Sequence, residues 1–134
     1  MNDLAELARR VCAFRDARDW RQFHSLRSLI VSLNLEAAEL LELTQWQTDE
    51  AIEALPASDA GRVALADEMA DVLMYLLLLA EVSGISLGEA TLAKLAKNEL
   101  KYPVARCRGR SEKYTLYRED AEASAAPTTG APET

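Results

Sequence analysis

The chain has 134 residues, enough for one domain with a real core. Apolar residues make up 49% and aromatics only 6%, with 5 Gly and 4 Pro, and the dominance of Ala, Leu and Glu favours helices. The net charge is −7; residues 119–134 hold four acids and no Lys or Arg, so the remainder carries −3. That balance argues against a nucleic-acid polymer as partner, which normally needs a basic face, but leaves open a nucleotide bound through divalent cations.

The longest apolar run, Val72 to Ala80, is nine residues, well short of the ~20 a bilayer-spanning helix needs, so no membrane association is expected. No charged segment followed by an apolar one opens the chain, so no signal peptide is expected. Cys12 and Cys107 form no CxxC or Cys/His cluster and read as reduced thiols of a cytoplasmic protein.

In chain order, residues from about Asn2 to Asp16 form a first predicted helix. Leu4, Leu7, Ala8, Val11 and Phe14 recur at helical spacing, with Arg9, Arg10 and Arg15 among the polar positions. Asp19 to Ser25 breaks that period and concentrates aromatics, which predicts a loop packed against the body; His24, the only histidine, lies in it. A second helix is predicted from Ser25–Arg27 to about Trp46. Ile30, Val31, Leu35 and Leu41 lie off its main apolar stripe, so it is apolar nearly all round and expected to be buried on more than one side. In a chain this small, that points to a homo-oligomer. Gln47 to Ser58 loses coherence, with Pro56 as a breaker, although TDEAIEAL suits a short helix.

Ser58 or Asp59 is a candidate N-cap for a third helix to about Val82, with Gly84 placed to end it. Ser86-Leu87-Gly88-Glu89 has the capping-box pattern and opens a fourth helix, which Pro103 stops after about Tyr102. Arg106, Arg108, Arg110 and Lys113 follow in a stretch expected to be irregular. Residues 1–118 are thus predicted to be one all-α domain resembling a four-helix bundle. Residues 119–134, rich in Ala, Pro, Thr and Glu, are predicted to be a disordered tail. No repeat, Gly-rich phosphate loop or strand pattern is present.

The chemistry concentrates on two of these helices. At about 100° per residue, Glu36 shares a stripe with Leu29, Leu33, Leu40 and Leu43, and Glu39 lies one turn further along the same side. Glu68 and Asp71 repeat the spacing on the third helix, where Glu68 projects with Val72, Tyr75 and Leu79. Acids three apart usually mark a solvated face. Here both pairs lie among apolar residues, where an isolated charge costs several kcal/mol unless neutralised, paired or bound to a cation. The 28 residues between Glu39 and Glu68 suit two antiparallel helices facing one another. Ligation by carboxylates alone selects a hard cation, Mg²⁺ or Mn²⁺. The lack of His among the four argues against Zn²⁺ and against a di-iron bundle.

The pattern Glu36-x-x-Glu39, 28 residues, Glu68-x-x-Asp71 resembles the metal motif of the MazG-like all-α NTP pyrophosphohydrolases, and within them the dCTP pyrophosphatase branch. The closer likeness runs through Asp19-Trp20, Gln22-Phe23-His24, Gln45-Trp46, Asp71-Val72-Leu73, Tyr75-Leu76, Lys94, Asn98, Tyr102-Pro103 and Lys113-Tyr114. The resemblance implies hydrolysis of a nucleoside triphosphate to the monophosphate and pyrophosphate, with Glu36, Glu39, Glu68 and Asp71 holding Mg²⁺ as the catalytic set. It implies that His24, Trp46, Tyr75, Lys94, Asn98, Tyr102 and Lys113 surround the nucleotide, in a homo-oligomer of the family's kind, a tetramer.

The physical roles agree. A cation offsets repulsion between four acids and a polyanion and activates water toward the α-phosphorus. Trp46, seven residues after Glu39, is predicted to lie on the same side and offer a base a stacking face, and Lys94 suits phosphate charge. The favoured substrate is dCTP or a modified dCTP. The alternatives are dUTP, a broad house-cleaning range, or a non-enzymatic helical oligomer with a structural cation. One departure stands out. Many members carry two adjacent acids at the motif's start, and here Leu35 precedes Glu36. Either a motif acid takes the attacking water's proton or a metal-bound hydroxide serves, with Glu42 as a candidate outlying acid.

Overall fold

The computed structural model describes residues 3–111, and every regular element among them is helical. In order these are α1 (Leu4–Asp16), a 3₁₀ turn (Trp20–Phe23), α2 (Leu26–Glu42), α3 (Asp49–Ala54), a second 3₁₀ turn (Leu55–Ala57), α4 (Asp59–Ser83), α5 (Leu87–Lys101) and α6 (Val104–Cys107). The expected all-α class is the one observed. By contacts the chain divides into two units, Met1–Gly88 and Glu89–Thr134.

Each helix start in the first unit is specified by a short polar side chain. Asp3, Ser25, Thr48 and Ser58 sit in extended backbone and accept from the N–H groups of Ala5, Ser28, Ala51 and Gly61, satisfying donors that the first turn leaves open. Gly61 is buried because the Leu55–Ala57 turn closes directly over it. A Cβ there would stand 2.4 Å from the Leu55 carbonyl oxygen. Gly84 ends α4 at φ 66°, and Ile85 N–H reaches back to the Ala80 carbonyl at 3.0 Å. Val104–Cys107, expected to be irregular, forms the single turn α6 beginning after Pro103.

Two other expectations fail. The second helix stops at Glu42 instead of continuing to Trp46. Thr44 donates both its backbone N–H and its hydroxyl to the Leu41 carbonyl, and Gln45 N–H goes to Glu42, so the chain tightens into turns. Trp46 emerges in the left-handed conformation, φ 61°. The aromatic stretch after α1 is a 3₁₀ turn rather than a loop sunk into the body: Trp20 and Phe23 are exposed. Trp20 meets Phe14 edge-on at 6.0 Å, and the Arg18 guanidinium covers the Phe14 ring at 3.5 Å.

The first unit is organised on α4, against which α2 packs most extensively and α1 less so. Among the described residues the buried apolar side chains are Leu29 in the first turn of α2 and Leu77 and Leu78 late in α4. With Glu36 and Glu39 meeting Glu68, that places the start of α2 by the end of α4, an antiparallel pair. The stripe Ile30, Val31, Leu35, Leu41 on α2 is half or more exposed, so the burial expected of it does not occur within one chain. Among the described residues, no single helix is long and apolar enough to cross a membrane.

Candidate metal centre

The antiparallel register of α2 and α4 brings three of the four predicted carboxylates together. One oxygen each from Glu36, Glu39 and Glu68 lies within 4.8 Å of the others. Glu39 is exposed, while Glu36 and Glu68 are half-buried among the apolar residues of the seam. Desolvation, and then the charge of Glu39 with Asp71 and Glu68, pushes the Glu36 carboxyl above the usual carboxylate range. Glu68 is raised for the same first reason, followed by the charges of Glu39, Asp71, Asp67 and Glu42. Asp71, one turn beyond Glu68, is near enough for its charge to act on both residues but is not one of the three whose oxygens converge.

The donor set fits a hard divalent cation. Its members are all carboxylate oxygens. Moreover, Glu68 Oε2 is buried without a hydrogen-bond partner, which is costly unless something absent from the protein itself occupies that side. Like charges packed this closely are relieved when a cation is placed between them.

The other predicted residues are more scattered. Tyr75 is half-buried on α4, one turn past Asp71. Trp46 is 92% exposed and lies beyond the end of α2, so the expected helical spacing from Glu39 does not hold. His24 closes the 3₁₀ turn at the opposite end of α2, whose first residue, Leu26, lies about 15 Å from Glu36 by helical rise. It is half-buried, with Nδ1 enclosed and unpartnered; burial, and then the Arg15 charge, hold its pKa below the ordinary value. Within one chain the acids, His24 and Trp46 are therefore three separate places along α2. In the second unit, Lys94 and Asn98 share a face of α5 four residues apart, and Tyr102 N–H donates to the Asn98 carbonyl at 2.8 Å. Lys113 lies outside the described residues, as does the tail.

Sequence reasoning missed one constellation. Arg15, assigned to the polar positions of the first helix, is 1% exposed. Its guanidinium donates at 2.8 Å to both Asp16 and Glu81, and Arg21 reaches the second Glu81 oxygen at 3.3 Å. The available signal was Glu81, an acid closing the long apolar run of α4 as Glu68 opens it.

The MazG-like family profile matches residues 31–116, which contain both acid pairs, and the chain belongs to that family. Among individual proteins, it is similar to dCTP pyrophosphatase 1 of Bos taurus and of Homo sapiens, each 40% identical over 112 residues. Those alignments take in 84% of this chain and 66% of the relative, so the chain spans just under two thirds of their length. A crystal structure of a pyrophosphatase from Archaeoglobus fulgidus is similar in fold at a TM-score of 0.67 and 42% identity, covering 74% of this chain and 91% of that one.

Proposed function

We propose that this protein is a Mg²⁺-dependent nucleoside triphosphate pyrophosphohydrolase that cleaves dCTP or a modified dCTP to the monophosphate and pyrophosphate. The observation that carries the reading is the meeting of Glu36, Glu39 and Glu68 around a buried, unpartnered carboxylate oxygen. Membership of the MazG-like family and the dCTP pyrophosphatase relatives support it. Glu36, Glu39 and Glu68 hold the cation, with Asp71 completing the set, and Mn²⁺ is an acceptable substitute. The bound cation supplies charge neutralisation for the triphosphate and Lewis acidity at phosphorus. The protein residues do the rest. The carboxylates hold their places because α2 packs along α4, with Leu29 of α2 and Leu77 and Leu78 of α4 buried. With Leu35 in place of a second acid, a motif carboxylate takes the water proton, with Glu42, whose charge acts on Glu68, held in reserve. His24, Trp46, Tyr75, Lys94, Asn98, Tyr102 and Lys113 are assigned to the base, sugar and phosphates.

The same reading makes the working protein a homo-oligomer, a tetramer. Among the described residues only three large apolar side chains are buried, while Ile30, Val31, Leu35 and Leu41 on α2 and Met69 on α4 are about half exposed or more. A second copy covering that surface would also let the separated ends of α2 complete a site between chains. The compartment proposed is the cytoplasm, where Cys12 and Cys107 remain free thiols.

The test is incubation with dCTP, dUTP, dTTP and dATP, with and without Mg²⁺, followed by separation of the products. Release of pyrophosphate and monophosphate, highest with dCTP and dependent on the cation, is the expected result. Orthophosphate as the first product, or no turnover, would overturn the proposal.

A further inference from the structure

Glu81 occupies a position that the metal chemistry does not use. It lies thirteen residues beyond Glu68 on α4, in the last turn of the helix, whereas Glu68 and Asp71 lie near its middle. Its two oxygens are divided between two elements: Oε2 accepts from the buried Arg15 of α1 at 2.8 Å, and Oε1 faces Arg21 of the 3₁₀ turn at 3.3 Å. Asp16 takes a further Arg15 donor at 2.8 Å, so the guanidinium is fixed from two sides. The turn it serves is short, with exposed Trp20 and Phe23, and has little packing of its own. At its start Asp19 adopts φ 54°, and Gln22 folds back onto Asp19. His24 ends it, with Nδ1 enclosed and unpartnered. The carboxylate on α4 therefore ties the last turn of α1 to the middle of the connection toward α2 through two arginines.

We propose that Glu81 is a positioning residue: by bridging Arg15 and Arg21 it fixes the Trp20–Phe23 turn, and through it the placement of His24 for the nucleotide. The second half of this inference rests on the assignment of His24 to the nucleotide made above. Arg15 is a credible strut because a guanidinium presents a rigid planar fork, and one buried at 1% exposure has no other route to compensation than its two carboxylates. The network joins His24 directly through the backbone, where His24 N–H donates to the Arg21 carbonyl at 3.1 Å. Arg21 is 65% exposed at its side chain, so its contact with Glu81 contributes little to global stability and acts locally.

The experiment uses the full chain and the variants Glu81→Gln, Arg21→Ala, Arg21→Lys and His24→Ala. Because His24 is the only histidine, its imidazole C–H resonances identify themselves in a proton–carbon spectrum. Arg21→Ala and Glu81→Gln should shift or broaden those resonances. They should also raise KM for dCTP about fivefold, with kcat within about twofold, the pattern of lost ground-state placement. Arg21→Lys should recover most of both effects. Unmoved imidazole resonances in folded Arg21→Ala and Glu81→Gln would overturn the proposal, as would moved resonances with unchanged KM. Should Glu81→Gln fail to fold, Arg21→Ala decides alone. The His24→Ala variant separates the two layers. If it leaves KM unchanged, the nucleotide role of His24 is wrong. If it raises KM while the Glu81 and Arg21 variants do not, the fault lies with Glu81.

Discussion

Replacing Leu29 by Ala tests whether the register of α2 on α4 is what builds the carboxylate site. Leu29 is 1% exposed in the first turn of α2, two turns before Glu36 on the same stripe, on the helix that packs most extensively against α4. Truncating a buried Leu costs about 2–5 kcal/mol, depending on how far the surroundings collapse. Leu26 and Ile30 beside it are about half exposed, so α2 can settle partway, and the lower part of that range, about 2–3 kcal/mol, is expected here. For a domain of this size that lowers the melting temperature by roughly 10 °C. The assay is metal-free thermal denaturation at fixed protein concentration, because association with a second copy would itself move the midpoint. A companion Mg²⁺ titration should show weaker stabilisation by the cation, since a shifted α2 carries Glu36 and Glu39 away from Glu68. A fall of less than about 3 °C with unaltered response to Mg²⁺ would refute the idea that Leu29 sets the register.

Four further outcomes are expected. Glu68→Gln and Asp71→Asn should each abolish metal-dependent turnover while metal-free melting holds or rises, because carboxylate repulsion is relieved at little change in volume; near-normal activity in both would remove the metal assignment. Trp46→Ala should weaken every nucleotide by about 1–3 kcal/mol and His24→Ala should compress the preference among them, measured as kcat/KM for four dNTPs; unchanged ratios in both would send base reading to Tyr75 and Asn98. The folded His24 pKa is depressed, first by burial and then by Arg15, so its stabilising contribution is present above the ordinary value of 6.5 and lost as pH falls through the folded value. The melting temperature of the parent should accordingly drop more steeply than that of His24→Asn from about pH 7 to about pH 5, and parallel curves would contradict the depressed pKa. Deleting residues 119–134, which hold no aromatic or large aliphatic side chain, should change neither activity nor melting temperature, and a large loss of stability would show that the segment docks.

Helix identity and the acid motif were legible in the sequence because both depend on local spacing. The 3.6-residue period, the cap at Ser58 and the stop at Gly84 are decided within a few residues, and each is found where it was expected, as is the start of α2 just after Ser25. Glu36 and Glu68 stood out because an acid among leucines conflicts with its neighbours, a conflict detectable without knowing what lies opposite. The end of α2 was not legible in the same way. Nothing in the apolar pattern forbids a helix through Trp46, and the stop at Glu42 comes from a Thr44 hydroxyl competing for a backbone carbonyl.

The sequence alone determined an all-α chain with two acid-bearing helices and a surplus of apolar surface. Only the tertiary structure decided that Glu39 stands in the converging trio and Asp71 beside it, that His24 and Trp46 lie at opposite ends of α2, and that Arg15 is buried. The physical reason is that periodicity reports which residues share a face of one helix. Which charges meet across two helices depends on their relative register, which is set by a few distant contacts such as Leu29 in the α2–α4 seam and Arg15 on Glu81.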